Sequence, residues 1–175
     1  TFDAAPDYET PGDANTDNDY IVEVTATDGT NTDIQTITVS VTNENDNDPV
    51  ITSDGGGATA AVNAAENQTA VTTVTATDAD GTTPTFSITG GADAALFSID
   101  TNTGVLTFDA APDYETPGDA NTDNDYIVEV TASDGTNTDV QTITVTVTNE
   151  NDNDPVITSE GGGATATVNV NENIT

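Results

Sequence analysis

The sequence predicts an all-β chain: a seven-stranded Greek-key β-sandwich in tandem repeats of 106 residues. Three observations carry this. Residues 1–69 match residues 107–175 without a gap, 61 of the 69 positions being identical, and self-similarity at a fixed period marks a repeat architecture. Apolar and polar residues alternate with period two over long stretches, as in strands with one buried face. Gly-, Asn- and Asp-bearing turns separate those stretches, and no helical period runs between them.

Taken in order, the strands of the complete repeat are expected at about 58–64, 70–77, 84–89, 95–99, 104–108, 126–133 and 139–148. The turn Asp100-Thr101-Asn102-Thr103-Gly104 separates the fourth from the fifth, and Asp134-Gly135-Thr136-Asn137 separates the last two. In the sixth, Tyr126, Val128, Val130 and Ala132 share one face. In the seventh, Ile143, Val145 and Val147 share a face, interleaved with Thr142, Thr144, Thr146 and Thr148. Thr is β-branched and tolerates water, so it suits the outer face of a strand. Phe86, Phe97, Leu106, Phe108 and Tyr126 are expected to fill the core, with no cofactor needed. About a hundred residues with seven short strands imply an antiparallel sandwich. The organisation expected is 1–48 as the C-terminal half of one repeat, 49–154 as a complete repeat and 155–175 as the first strand of the next, a stretch cut from a longer protein.

Composition narrows the chemistry. The chain holds 32 Asp and Glu and no Lys, Arg, His, Cys, Met or Trp, for a formal charge of −32. Without cationic side chains it has nothing to neutralise phosphates, so nucleic-acid and nucleotide binding are excluded. Without His or Cys there is no usual zinc site, acyl-transfer triad or disulfide. Such charge with low hydrophobicity ordinarily means disorder, but a coil has no reason to alternate. Paired carboxylates such as Asp113 and Glu115 suit a glycosidase in type. A site copied in every unit, with no Trp to stack on sugars, is instead structural, and no enzyme is expected.

The acids cluster at strand ends. The run Asn43-Glu44-Asn45-Asp46-Asn47-Asp48-Pro49 follows one strand and recurs as Asn149-Glu150-Asn151-Asp152-Asn153-Asp154-Pro155. It offers carboxylates, carboxamides and carbonyls, the oxygens a hard cation such as Ca²⁺ takes in sets of about six to eight. The proline biases the run towards extended backbone. Pairs at i, i+2 (Asp7 and Glu9, Asp78 and Asp80, Asp113 and Glu115) project to one side and repel unless an ion is shared. Asp28 and Asp134 follow one strand type, and Glu66 and Glu172 another. The loop Asp119 to Asp125 resembles the first half of an EF-hand loop but lacks its glycine and final glutamate, so it is read as a solvated loop. Asp13, Asn15 and Asp17 are read the same way. Asn67-Gln68-Thr69 and Asn173-Ile174-Thr175 fit the glycosylation sequon, as chance allows in so Asn- and Thr-rich a chain.

These motifs together resemble the cadherin family, in a bacterial cadherin-like form, over the whole chain. The family's linker DxNDNxP is matched by NENDNDP and its DxD by Asp78-Ala79-Asp80. Its LDRE-type loop is matched by Pro6-Asp7-Tyr8-Glu9 and Pro112-Asp113-Tyr114-Glu115. Its AxDxG pattern is matched by Ala26-Thr27-Asp28-Gly29 and by Ala132-Ser133-Asp134-Gly135. Residues 96–108, LFSIDTNTGVLTF, resemble its middle hairpin. Asn43 and Asn149 stand where the family has Asp, while Pro and Tyr replace the Leu and Arg of LDRE.

The resemblance implies a cadherin/immunoglobulin-like sandwich with Ca²⁺ between successive domains, typically three ions. At the junction near residue 48 it implies Asp7, Glu9, Asn45 and Asp46 by side chain and Glu44 and Asn47 by carbonyl, met by Asp78, Asp80 and Asp134 of the following domain. At the junction near residue 154 it implies Glu66, Asp113, Glu115, Asn151 and Asp152, with Glu150 and Asn153 by carbonyl. Asp28 is assigned to a junction upstream. The expected function is a calcium-stiffened extender of a long secreted or cell-surface bacterial adhesin or fibre. Its partners are the adjacent repeats, with no nucleic acid and no membrane insertion. The alternatives are a directly adhesive module binding a like domain or a glycan, or a repeat that packs laterally with like chains into an extracellular filament.

Overall fold

Period-two alternation becomes burial wherever a second sheet covers the strand. The computed structural model describes residues 1–172. Its strands are β1 (Asp19–Thr27), β2 (Thr32–Ser40), β3 (Val50–Ile51), β4 (Thr59–Ala65), β5 (Ala70–Thr73), β6 (Ala76–Thr77), β7 (Thr85–Gly90), β8 (Phe97–Ile99), β9 (Val105–Phe108), β10 (Asp125–Ser133) and β11 (Thr138–Thr148). A four-stranded sheet in the order β4-β11-β10-β7 packs on a three-stranded sheet, β5-β9-β8, while β3 pairs with β6. The expected sandwich is therefore present.

Its core is the one the alternation selects. Val128, Val130, Ala132, Ile143, Val145 and Val147 are buried with Tyr126, Phe86, Phe97, Leu106 and Phe108. Phe97 stacks on Phe108 at 4.6 Å between ring centroids, and Tyr126 meets Phe108 edge-on at 5.1 Å, a favourable aromatic geometry. The Tyr126 hydroxyl also accepts a hydrogen bond from the Gly118 N–H at 3.0 Å. That bond pins the loop leading into β10.

Three details depart from the expectation. First, β4 runs parallel to β11, Val62 lying opposite Val145, so the sandwich is mixed rather than wholly antiparallel. Second, the strand expected at 70–77 divides into β5 and β6. Val74, fully buried, donates its N–H to the Gly104 carbonyl at 2.8 Å, while the Thr75 carbonyl accepts from Thr52 N–H at 2.8 Å. The chain changes sheets between them. Gly104 permits this at φ 69°, because a Cβ there would lie 2.0 Å from the Val74 oxygen, a contact no side chain survives. Third, residues 94–96 form a single 3-10 turn before β8 instead of its start.

The repeated segments behave differently from their counterparts. Hairpin β1–β2 keeps the register of β10–β11, Val24 lying opposite Gln35 as Val130 lies opposite Gln141, yet no second sheet lies on it. Residues 162–172 contain no strand, although their counterparts form β4. That strand exists by pairing with β11, and no equivalent of β11 lies beside 162–172 among the described residues. Asn173, Ile174 and Thr175, including the second sequon, lie outside the described residues.

Adjacent residues of β9 test the burial pattern. Leu106 is fully buried and Val105 is 42% exposed. Leu106→Ala is expected to lower unfolding free energy by about 2–5 kcal/mol, and Val105→Ala by less than about 1 kcal/mol. Thermal unfolding followed by circular dichroism measures both, and equal losses contradict the assigned faces.

Candidate metal centre

With no cationic side chain available, each carboxylate must be satisfied by N–H donors, by water or by an added cation. The local folding of the strand ends follows from this. Asp7 Oδ1 accepts from the N–H groups of Glu9 (3.0 Å) and Thr10 (3.1 Å), a turn that throws Glu9 towards the linker. Asp113 repeats it with Glu115 and Thr116. Asp78 Oδ1 accepts from Asp80 N–H at 2.8 Å. Asp134 Oδ1 accepts from the N–H groups of Thr136 and Asn137, both at 2.6 Å, closing the β10–β11 turn.

These turns bring sequence-distant acids together. Glu9, Asp46 and Asp80 each place an oxygen within 4.8 Å of the others. Asn47 straps the linker to that group, donating its N–H to Asp80 Oδ2 and its Nδ2–H to Asp80 Oδ1, both at 2.8 Å. Asn45 donates to the Thr136 hydroxyl at 3.1 Å, which draws the Asp134 turn to the same junction. Glu44 lines a polar cleft with Asp7, Glu9, Asp46 and Asn47.

The electrostatics match this crowding. Burial raises the Glu9 pKa above its ordinary 4.5, and repulsion from Asp80 and then Asp46 adds to it. For Asp80, desolvation acts upward but is outweighed by the Asn47 side-chain and backbone donors, so its pKa lies below 3.8. Asp134 also lies below 3.8, held there first by the Asn137 N–H and against desolvation by Thr136 N–H and Asn45.

A second group forms near residue 154. Glu66, only 1% exposed, stands within 4.8 Å of Asp113 and Glu115. Its two oxygens accept from Glu150 N–H (2.7 Å) and Tyr114 N–H (2.9 Å). Asp152 Oδ2 accepts from Asn67 at 2.7 Å and its Oδ1 from Asn153 at 2.8 Å. Asn151 is exposed nearby. Asp28 joins neither group. It closes its own hairpin turn through Thr30 and Asn31 N–H, both at 2.8 Å.

Whether a cation fits is decided by the oxygens left over. Glu9 Oε1, Asp78 Oδ2 and Asp134 Oδ2 are buried with no hydrogen-bond partner, and all three belong to residues of the first junction. A buried carboxylate oxygen without a donor is costly, and a hard divalent cation supplies what it lacks. The donor set is all oxygen, which suits Ca²⁺ rather than a soft metal.

Sequence reasoning passed over several residues here. Asn43 donates to the Asp80 carbonyl at 2.9 Å and Asn137 to the Asn47 carbonyl at 3.1 Å, because a carboxamide in a turn carries no periodic signal. Asp93 is buried and accepts from Ala120 and Ile127 N–H, both at 2.8 Å. Asp119 is buried rather than solvated. Desolvation acts upward on it, yet Asp123 and Asn124 N–H hold its pKa below 3.8. Its loop is a self-closed turn.

The comparisons follow from this geometry. A family model of the Cadherin domain matches residues 59–148. No curated protein matches the chain. Among solved structures, the protocadherin GammaB4 extracellular domain superposes with a TM-score of 0.64 at 29% identity over 82% of this chain. A protocadherin gammaB7 EC3-6 cis-dimer structure gives 0.63 at 26% over 86%. Human protocadherin-24 EC1-2 gives 0.61 at 21% over 84% of this chain and 70% of its own length, a likeness of fold alone. The chain spans 23% of the length of the first of these and 37% of the second.

In ion-free solution the shifts have opposite signs. Glu9, with its pKa raised, favours the folded state below about pH 4.5 and loses that contribution as pH rises through its folded value. Asp80 and Asp134, with theirs lowered, favour it above about 3.8 and lose that contribution as pH falls through their folded values. Carboxyl-detected NMR titration is expected to place the Glu9 midpoint above 4.5 and the Asp80 and Asp134 midpoints below 3.8. Coincident midpoints contradict the clustering.

Proposed function

The chain belongs to the cadherin family, a family of extracellular adhesion-type modules rather than enzymes, and on that premise we propose that it is a calcium-stiffened extender of a long secreted or cell-surface adhesin or fibre. The observation that carries this reading is the trio of unpartnered buried oxygens on Glu9, Asp78 and Asp134, beside the Glu9–Asp46–Asp80 cluster. Asp7, Glu9, Glu44, Asn45, Asp46 and Asn47 hold Ca²⁺ from one side of the first junction, and Asp78, Asp80 and Asp134 from the other. Glu66, Asp113, Glu115, Glu150, Asn151, Asp152 and Asn153 form the matching set at the second, and Asp28 serves a junction upstream. Ca²⁺ adds the positive charge this sequence lacks, turning mutual repulsion into a brace.

Residues 1–48, 49–154 and 155–175 are then part of one repeat, a whole repeat and the start of another, and each repeat's partners are its neighbours in the chain. Supporting an extender is the near identity of the copies, since stacked identical units make a rod whose interfaces recur. The residual negative charge favours extension over collapse. Bacterial origin is part of the same proposal and rests on the motif resemblance.

Calcium titration tests the assignment. At a hundredfold excess of Ca²⁺ over its dissociation constant, each site is expected to add about 2.7 kcal/mol of stability, lost on chelation and on acidification because the ligands must be ionised. Asp46→Ala is expected to weaken apparent Ca²⁺ affinity by about tenfold or more, and Asp123→Ala to leave it unchanged. Indistinguishable curves refute the assignment.

A further inference from the structure

Hairpin β1–β2 repeats β10–β11 except for Thr27 against Ser133, Ile34 against Val140 and Ser40 against Thr146. The inward faces differ only in what lies on them. Val128, Val130, Ile143 and Val145 are fully buried, whereas their counterparts Val22 and Val24 are 49% exposed and Ile37 and Val39 are 38% exposed. With Phe2 and Tyr20 these four line one open apolar hollow.

The hollow keeps the geometry of the covered face. Phe2 meets Tyr20 edge-on at 4.9 Å and 85°, as Phe108 meets Tyr126 at 5.1 Å and 79°. The Tyr20 hydroxyl accepts from Gly12 N–H at 3.0 Å, as Tyr126 accepts from Gly118 at 3.0 Å. The face is thus shaped before anything covers it, and contiguous exposed apolar surface of this kind marks an interaction site. The occupant it fits is visible in the same molecule: the sheet β5-β9-β8 on an almost identical hairpin. Neither the strands Ala70–Thr73, Phe97–Ile99 and Val105–Phe108 nor the four aliphatic residues facing them carry charge, so the acidic surface does not oppose contact there.

We propose that the β1–β2 face docks the β5-β9-β8 sheet of a second copy of this chain. The donor copy releases its own β10–β11 hairpin to do so. Between intact copies the exchange conserves buried area, so a copy that cannot use its own hairpins is the effective donor.

The double variant Val24→Asp/Val130→Asp is such a donor, because an aspartate at the centre of each face bars its sheet from both of its own hairpins. Mixed with the wild-type chain, it is expected to sediment as a two-chain species and to regain hydrogen-exchange protection over residues 97–108 of the variant. Mixed with Val24→Asp alone, which keeps its own sandwich but not the open face, it is expected to bind at least about tenfold more weakly. Absence of a two-chain species with the wild type, or equal binding to Val24→Asp, overturns the proposal.

Discussion

Uncompensated negative charge governs this molecule. Its 32 carboxylates have no Lys, Arg or His to meet them, so each one close to another group is settled by a hydrogen-bond donor or left in need of a cation. Asp93 and Asp119 are settled by backbone N–H groups within loops. Asp100 is held below the usual carboxylate range by Thr103 N–H and side-chain donation and then by Asn102 N–H. At the first junction the donors run out. Asn47 satisfies Asp80, but Glu9, Asp78 and Asp134 each retain a buried oxygen with no partner. Cation demand is therefore concentrated where two repeats meet, which is where stiffness matters.

The sandwich serves this arrangement by fixing strand ends. An apolar core from Ile51 to Val147 holds β10 and β11 in register, and that register sets the Asp134 turn opposite the linker. Asp139 accepts the Ile51 N–H at 2.8 Å, which seats the chain leaving the linker against the last strand. Burial and metal affinity are thus linked: the core orders the backbone, and the ordered backbone spends its N–H groups on some carboxylates while leaving others open.

Much of the fold was legible because alternation is a direct consequence of one-sided burial. Tyr126, Val128, Val130 and Ala132 point inward as their spacing demands. The break between β5 and β6 was not legible, since it depends on a long-range approach of Gly104 to Val74 that no local pattern records. The parallel pairing of β4 was hidden for the same reason. At the site, i, i+2 acid pairs and the linker run could be found by inspection, but grouping Glu9 with Asp46 and Asp80 needed the motif order of a known family. Asn43 and Asn137, which tie the linker down, resemble any other turn residue. Asp28 shows the limit from the other side: it shares the motif of Asp134 yet stands apart from both acidic groups, because no linker run lies against its turn among the described residues.

The central claim is that cations complete the first junction. Anomalous X-ray scattering from crystals grown with Ca²⁺ measures it directly. The account predicts anomalous density bounded by carboxylate oxygens of Glu9, Asp46, Asp78, Asp80 and Asp134. Ordered water at hydrogen-bonding distance from Glu9 Oε1, Asp78 Oδ2 and Asp134 Oδ2, with no anomalous signal between them, contradicts it.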